Sequence, residues 1–269
     1  MLKSRIIFIL GVVFLFYLVV VQTGYSEEKA AIPIPASLQD SVIYYNSFEA
    51  SNGKAEINKI AAKEQLNISH LTERGIVGKG YLSAAGWKDG VIVISKDLSP
   101  YKARSISVWW ALDKDFEAGR VSQVFALRGK GKGYISAFFR GGGEDGWCAL
   151  KKPAGIFQVY NFPGIKNING IYNRDIVQLL SLKAKVWHNT IVTFSAGQDI
   201  VLYQDGNKVA EYVLQGRPLR ENDGINKIDI GFGGNYPMFL DEIAIYNRVL
   251  SPEEIEEYVN MVRGLSYTN

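Results

Sequence analysis

From Ser41 onward apolar and polar residues alternate in short runs, each closed by Gly, Asn or Asp. A period of two sends successive side chains to opposite faces of a strand. The pattern predicts strands in SVIYYNSFEA (41–50), GVIVISKD (90–97), RSISVWWAL (104–112), VSQVFALRG (121–129) and GYISAFFRG (133–141). It continues in WCALKK (147–152), WHNTIVTFSA (187–196), DIVLYQDGNKVAEYVL (199–214) and KIDIGFG (227–233). GKGKG between two of these runs, and Asp-Gly inside QDGN, mark hairpin turns. NKIAAKEQL (58–66) admits one short helix. Two stretches lack a clean period: RGGGEDGW (140–147) and the Asn-, Gly- and aromatic-rich 153–175. Long ordered loops in compact domains usually carry function; the alternative is an edge loop or unresolved strands.

The closing segment, FLDEIAIYNRVLSPEEIEEYVN (239–260), changes period halfway. Its first half alternates, and Asp241 falls in phase with Ile243 and Ile245. A carboxylate on a core-facing side needs a cation, N–H donors or solvent. The second half starts a helix: Ser251 caps it, Pro252 suits the first helical position and Glu254 completes a capping box. Ile255, Tyr258, Val259 and Val262 form its apolar stripe, and Gly264 is a stop signal. Many short strands and one closing helix predict an all-β, two-sheet antiparallel jelly-roll sandwich with a short C-terminal helix.

The N-terminus has a different pattern. Lys3 and Arg5 precede a continuously apolar run, residues 6–21, with small residues Gly24 and Ser26 beyond it. This is a secretory signal cut after Ser26, or an uncleaved anchor and the chain's membrane contact. Residues 27–41 read as a linker, 42–263 as the jelly-roll domain and 264–269 as a tail. The 269-residue chain has 30 basic and 27 acidic residues, and losing residues 1–26 removes Lys3 and Arg5 to leave 28 basic against 27 acidic. That balance argues against a nucleic-acid partner. The single cysteine, Cys148, excludes an intrachain disulfide and Cys-cluster metal sites.

Several blocks resemble the laminin-G-like, concanavalin A-like jelly-roll superfamily of bacterial exported proteins. WHNTIVTFSAGQDIVLYQDGNKVAEY and FLDEIAIYNRVLSPEEIEEY carry the specific part of the resemblance; YYNSFEASNGKA, GIVGKGYLSAAG and SISVWWAL add to it, and together they cover most of 42–263. The resemblance implies a structural Ca²⁺ shared by Asp241 and Glu49, with Asn52 and turn carbonyls such as that of Gly53 completing the shell. Calcium takes several oxygens, carboxylates and carbonyls among them. The alternative is that Asp241 caps backbone N–H groups or meets an arginine.

Some enzymes on this fold carry E-x-D-x-x-E on one strand, which would bring nucleophile and acid to the retaining distance. No such run occurs here, nor a Gln-x-His of the alginate-lyase type. Glu144 and Asp145 sit in a glycine-flanked turn, His188 belongs to a strand block, and His70 has no partner visible in the sequence. RGKGKGYI lacks the helix and spacing of a phosphate loop. Trp109 and Trp110 are adjacent on a strand, so one faces the core and the other needs a cover. Sugars are held by aromatic faces and by Asn, Asp and Arg hydrogen bonds. Trp87, Trp147, Tyr160, Phe162 and Tyr172, in or beside Gly- and Asn-rich turns, are the ligand-binding candidates. The expectation is an exported, non-enzymatic binding module, periplasmic, extracellular or membrane-anchored, for a carbohydrate or an extracellular protein. The alternatives are a glycan-active hydrolase or lyase on the same fold, or a structural or assembly subunit of the cell envelope.

Overall fold

A computed structural model describes residues 32–84, 89–99, 101–116, 121–129, 133–140, 154–160, 164, 168–173, 183–195, 199–214, 216–232, 234 and 236–266. Strands β1 (Val42–Asn46), β2 (Ile57–Asn58), β3 (Lys63–Gln65), β4 (Leu71–Thr72), β5 (Gly80–Ser83), β6 (Val91–Ile94), β7 (Ser105–Leu112) and β8 (Val121–Arg128) come first. They are followed by β9 (Tyr134–Arg140), β10 (Ala154–Tyr160), β11 (Ile168–Asn173), β12 (His188–Ser195), β13 (Asp199–Gln204), β14 (Asn207–Val213), β15 (Lys227–Ile230) and β16 (Met238–Tyr246). Helix α1 (Pro252–Ser266) closes the series. One sheet has nine strands, ordered β14-β13-β12-β7-β16-β1-β2, with β5 beside β16 and β4 beside β5. The other has seven, ordered β11-β10-β9-β8-β15-β6-β3. The described pairings are antiparallel, as in a jelly-roll sandwich.

Alternation accounts for the core. Ile106, Val108, Trp110 and Leu112 of β7 turn inward to meet Phe125 and Leu127 of β8, Ile228 and Ile230 of β15, and Val91 and Val93 of β6. The other parity of β7 turns outward, and Trp109 lies there, fully buried. Its cover is the helix: Ile255, Tyr258, Val259 and Val262 are buried, and the Arg263 guanidinium stands 5.9 Å from the Trp109 ring centre. Ser251 and Glu254 form the capping box, with Ser251 N–H donating to Glu254 at 2.8 Å and Glu254 N–H to Ser251 Oγ at 3.3 Å. Gly264 does not stop the helix, which runs on to Ser266.

Three expectations change. Residues 58–66 are not helical: the Asn58 amide clamps both the N–H and the carbonyl of Ala62, at 2.7 and 2.9 Å, and turns the chain between β2 and β3. Within 153–175, β10 pairs with β11, so the alternative of strands in that stretch replaces the long ordered loop. The second half of the linker belongs to the body, because Ile34 and Leu38 are buried. Strands β8 and β9 pair on either side of the first expected turn, where Gly129 N–H donates to the Gly133 carbonyl at 2.9 Å, and the second forms with Asp205 and Gly206 at φ of 54° and 86° between β13 and β14.

Candidate functional site

Strand β16 changes neighbour along its length. Met238 to Leu240 pair with β5, whereas Ile243 to Tyr246 pair with β1. Between them the ladder to β7 slips at Asp241–Ala244, and Glu242 takes φ 49°. This is a β-bulge, and the extra residue resets the alternation. Met238, Leu240, Ile243 and Ile245 all reach the core, while Asp241 pairs with the outward Trp109. Asp241 is therefore not on the face of Ile243 and Ile245, contrary to the simple period of two.

Where one ladder ends and another begins, peptide N–H groups lack strand partners, and carboxylates fill the gap. Asp241 Oδ2 accepts from Ile76 N–H at 2.9 Å and Val77 N–H at 3.2 Å, and Oδ1 accepts from Glu242 N–H at 2.8 Å. Glu49 Oε1 accepts from Lys79 N–H at 2.6 Å. Both acids thus grip one turn, residues 75–79, from either side. Glycine is required at both ends of that grip: a Cβ on Gly75 would stand 2.5 Å from Asp241 Oδ2, and one on Gly78 2.1 Å from Glu49 Oε1.

Of the calcium shell implied for Glu49, Asn52, Gly53 and Asp241, both Asp241 oxygens and Glu49 Oε1 accept backbone N–H groups, and Glu49 Oε2 is left open among the described residues. Asn52 Oδ1 accepts from Lys54 N–H at 3.0 Å, and the Gly53 carbonyl from Asn46 Nδ2 at 2.9 Å. Among the described residues no group of three or more His, Cys, Asp or Glu is placed to hold a metal. Glu242 is a second buried acid. Its Oε2 accepts from Tyr45 Oη, its carbonyl accepts from Tyr258 Oη at 3.4 Å, and its Oε1 has no hydrogen-bond partner. Burial pushes its carboxyl up to about 8. Burial and the neighbouring Glu242 charge also raise Asp241, against the pull of its three N–H donors. One proton on Glu242 removes that repulsion and leaves Asp241 with its donors.

Of the ligand-binding candidates, Trp87, Trp147 and Phe162 lie outside the described residues, as do Glu144, Asp145 and Cys148. Tyr160 and Tyr172 are described by backbone only. Tyr160 pairs with Tyr134 and Tyr172 with Ile156, which places both on the outer three strands of the seven-stranded sheet. The adjoining strands carry a polar group absent from those candidates. Arg128 Nε donates to Asp229 Oδ2 at 2.7 Å, and Lys227 Nζ lies 2.8 Å from Asp229 Oδ1. The Arg128 guanidinium stands 5.3 Å from the Tyr134 ring centre. Asp229 is nearly buried by its two cations, whereas Arg128 and Lys227 reach solvent. A signal for this group existed in the sequence: Lys227 and Asp229 share a parity in KIDI, and Arg128 and Tyr134 flank the GKGKG turn.

The histidines are both partnered. His188 Nδ1 lies 2.8 Å from Asp205, which also meets Arg263 at 2.9 Å. His70, without a visible partner in the sequence, has its Nδ1 2.9 Å from Asp89, and Asp89 also accepts from Tyr81 Oη at 2.8 Å. Burial, then the Asp89 hydrogen bond, push the Tyr81 hydroxyl far above its usual range.

The fold is shared with solved structures at low identity. The binding domain of Paraclostridial Mosquitocidal Protein 1 superposes with a TM-score of 0.61 at 17% identity, over 82% of this chain and 52% of that one. Domain 4 of an extracellular arabinanase from Geobacillus stearothermophilus, in complex with arabinotriose, gives 0.55 at 12%, over 81% of this chain and 98% of that one. The botulinum neurotoxin serotype D ligand binding domain, in complex with N-acetylneuraminic acid, gives 0.53 at 13%, over 84% and 52%. This chain spans about half the length of the toxin structures it matches. Comparison with curated protein sequences finds no match. A family model matches residues 86–256, more than half of the sequence, and the chain belongs to the concanavalin A-like lectin/glucanases superfamily.

Proposed function

We propose that this chain is a carbohydrate-binding module, with its ligand on the outer face of the seven-stranded sheet. The group that carries this reading is Arg128, Asp229 and Lys227 beside Tyr134. A sugar presents hydroxyls that both donate and accept, together with C–H surface. Arg128 and Lys227, held in place by the nearly buried Asp229, offer N–H donors to sugar hydroxyls, and the Tyr134 ring offers an apolar edge. Because Asp229 already holds both cations, little side-chain freedom remains to be lost on binding. The opposite outer face is largely covered by α1, and an opening of about 560 Å³ beside the start of that helix, lined by Thr193, Val201, Tyr203 and Arg248 among others, lacks such a three-charge group. Membership of a lectin and glucanase superfamily, and sugar complexes among the fold relatives, support the choice of ligand class. Export remains part of the proposal on the strength of residues 1–26, and the mass of the native chain, starting at Glu27 or at Met1, decides between cleavage and anchoring.

The test is an NMR titration of the domain with arabinotriose and, separately, with N-acetylneuraminic acid. Shifts at 126–136 and 227–229, lost in Arg128→Ala, are expected for at least one probe. If a glycan array and both titrations leave those residues unmoved in a folded protein, the reading fails.

A further inference from the structure

A second opening lies at the seam of the sandwich, where the edge strand β2 of one sheet meets the edge strand β3 of the other. It is a pocket of about 410 Å³, within the range of small-molecule sites. Its apolar lining is aliphatic: Ala55, Ala62, Leu66 and, at the rim, the exposed Ile68. Its charged groups are Lys54 and Glu64.

Glu64 is fixed in place. Its Oε1 accepts from the hydroxyl of the fully buried Tyr44 at 2.9 Å and from Ala55 N–H at 3.1 Å. Both protein donors are met by a single oxygen, and Oε2 is left for the pocket. Asn52 is likewise half-committed: Oδ1 holds Lys54 N–H, and its Nδ2 group is unspent. The Asn58 amide, by contrast, is wholly used by Ala62. Among the described residues neither Lys54 nor Glu64 enters an ion pair, with each other or with a third group. Two opposite charges on one pocket, one of them rigid and neither neutralised, match a ligand that carries both signs. An aliphatic lining without an aromatic platform does not suit a sugar ring.

We propose that the seam pocket binds a small zwitterion of the α-amino-acid type with an aliphatic side chain. The ligand ammonium meets Glu64 Oε2, its carboxylate meets Lys54 and the Asn52 amide, and its side chain packs on Leu66 and Ile68. Tyr44 and Ala55 act as positioning groups, holding the Glu64 carboxylate so that little reorganisation accompanies binding. The site stands independently of the glycan face.

The experiment is an NMR titration with L-leucine, compared with leucinol, which lacks the carboxylate, and N-acetyl-leucine, which lacks the ammonium. L-leucine should shift residues 52–68, and each analogue should bind at least about tenfold more weakly, the factor that one lost charge contact of about 1.4 kcal/mol represents. Lys54→Ala, an exposed change, and Glu64→Gln, which keeps an oxygen for Tyr44 and Ala55, should each weaken L-leucine binding similarly. Arg128→Ala should leave it intact, which separates this site from the glycan face. Unmoved 52–68 resonances with L-leucine, equal binding of leucinol, or arabinotriose shifts at 52–68 would each overturn the proposal.

Discussion

The two outer faces of the sandwich are built from the same alternating strands but are finished in opposite ways. Outside the nine-stranded sheet, Trp109, Tyr45, Ala244 and Tyr246 are buried beneath Tyr258, Val259 and Val262 of α1. Outside the seven-stranded sheet, Ile92 and Ile94 are only half-buried, and Arg128, Lys227 and Asp229 form a charged group with access to solvent. The first face is a second core, and its large aromatics are there for packing. The second has exchanged packing for polar contact with solvent, which is what a recognition surface requires. A tryptophan on a strand is thus not by itself a sugar platform here. Trp109 and Trp110 are both fully buried, one under the helix and one in the sandwich, with Trp110 Nε1 donating to Thr190 at 2.8 Å.

The largest effect should come from cutting into the closed face. Trp109→Ala should lower stability by about 3–5 kcal/mol, as large-to-small changes at buried aromatics do. Arg128→Ala, on the open face, should cost about 1 kcal/mol or less, because Arg128 is partly solvated and Lys227 still pairs with Asp229. Urea unfolding of both variants measures the contrast, and a larger loss for Arg128→Ala would reverse the assignment of the faces.

An intermediate effect should come from pH, again through the closed face. The folded Glu242 carboxyl is raised from an ordinary 4.5 to about 8. Between those values the native state holds a proton that the unfolded chain has released, so stability falls as pH rises through that window. Glu242→Gln should remove this slope and gain on the order of 1–3 kcal/mol at pH 8. The groups facing Glu242 are Tyr45, Tyr258, Tyr246, Asp241, Glu49 and Glu56. A wild-type melting temperature independent of pH across the window would mean that Glu242 is ionised throughout.

The smallest effect concerns metal. With Asp241 and Glu49 engaged by the N–H groups of residues 76, 77 and 79, the melting temperature should be the same in EDTA and in millimolar calcium. A calcium-dependent rise abolished by Asp241→Ala would restore the shared ion.

Local patterns in the sequence foretold whatever depends on neighbours along the chain. The parity of SISVWWAL, the Asp-Gly turn and the Ser251–Glu254 box all form as their spacing requires, because each is decided within a few residues. What depends on distant partners was hidden. The bulge at Glu242 exists because β16 exchanges β5 for β1, and nothing within DEIAIY signals that exchange. His70 finds Asp89 across a fold, and Glu64 finds Tyr44 across the core. Residues 58–66 have helical composition, but the Asn58 clamp and the ladder to β6 override it. The open face is hidden in the sequence because its members are charged residues at strand positions, not aromatics in turns.

The partner exchange of β16 also bears on when the domain can assemble. The last strand lies between β7 and β1, the first strand of the fold. Until residues 238–246 have left the ribosome, β1 has no central neighbour and the nine-stranded sheet is in three pieces, β14-β13-β12-β7, β1-β2 and β5-β4. Folding of the domain is therefore deferred until its last strand has been made, with the long-range closure and slow kinetics that such topology brings. A chain truncated before Met238 would lose the seam that joins its two ends, along with the helix that covers Trp109.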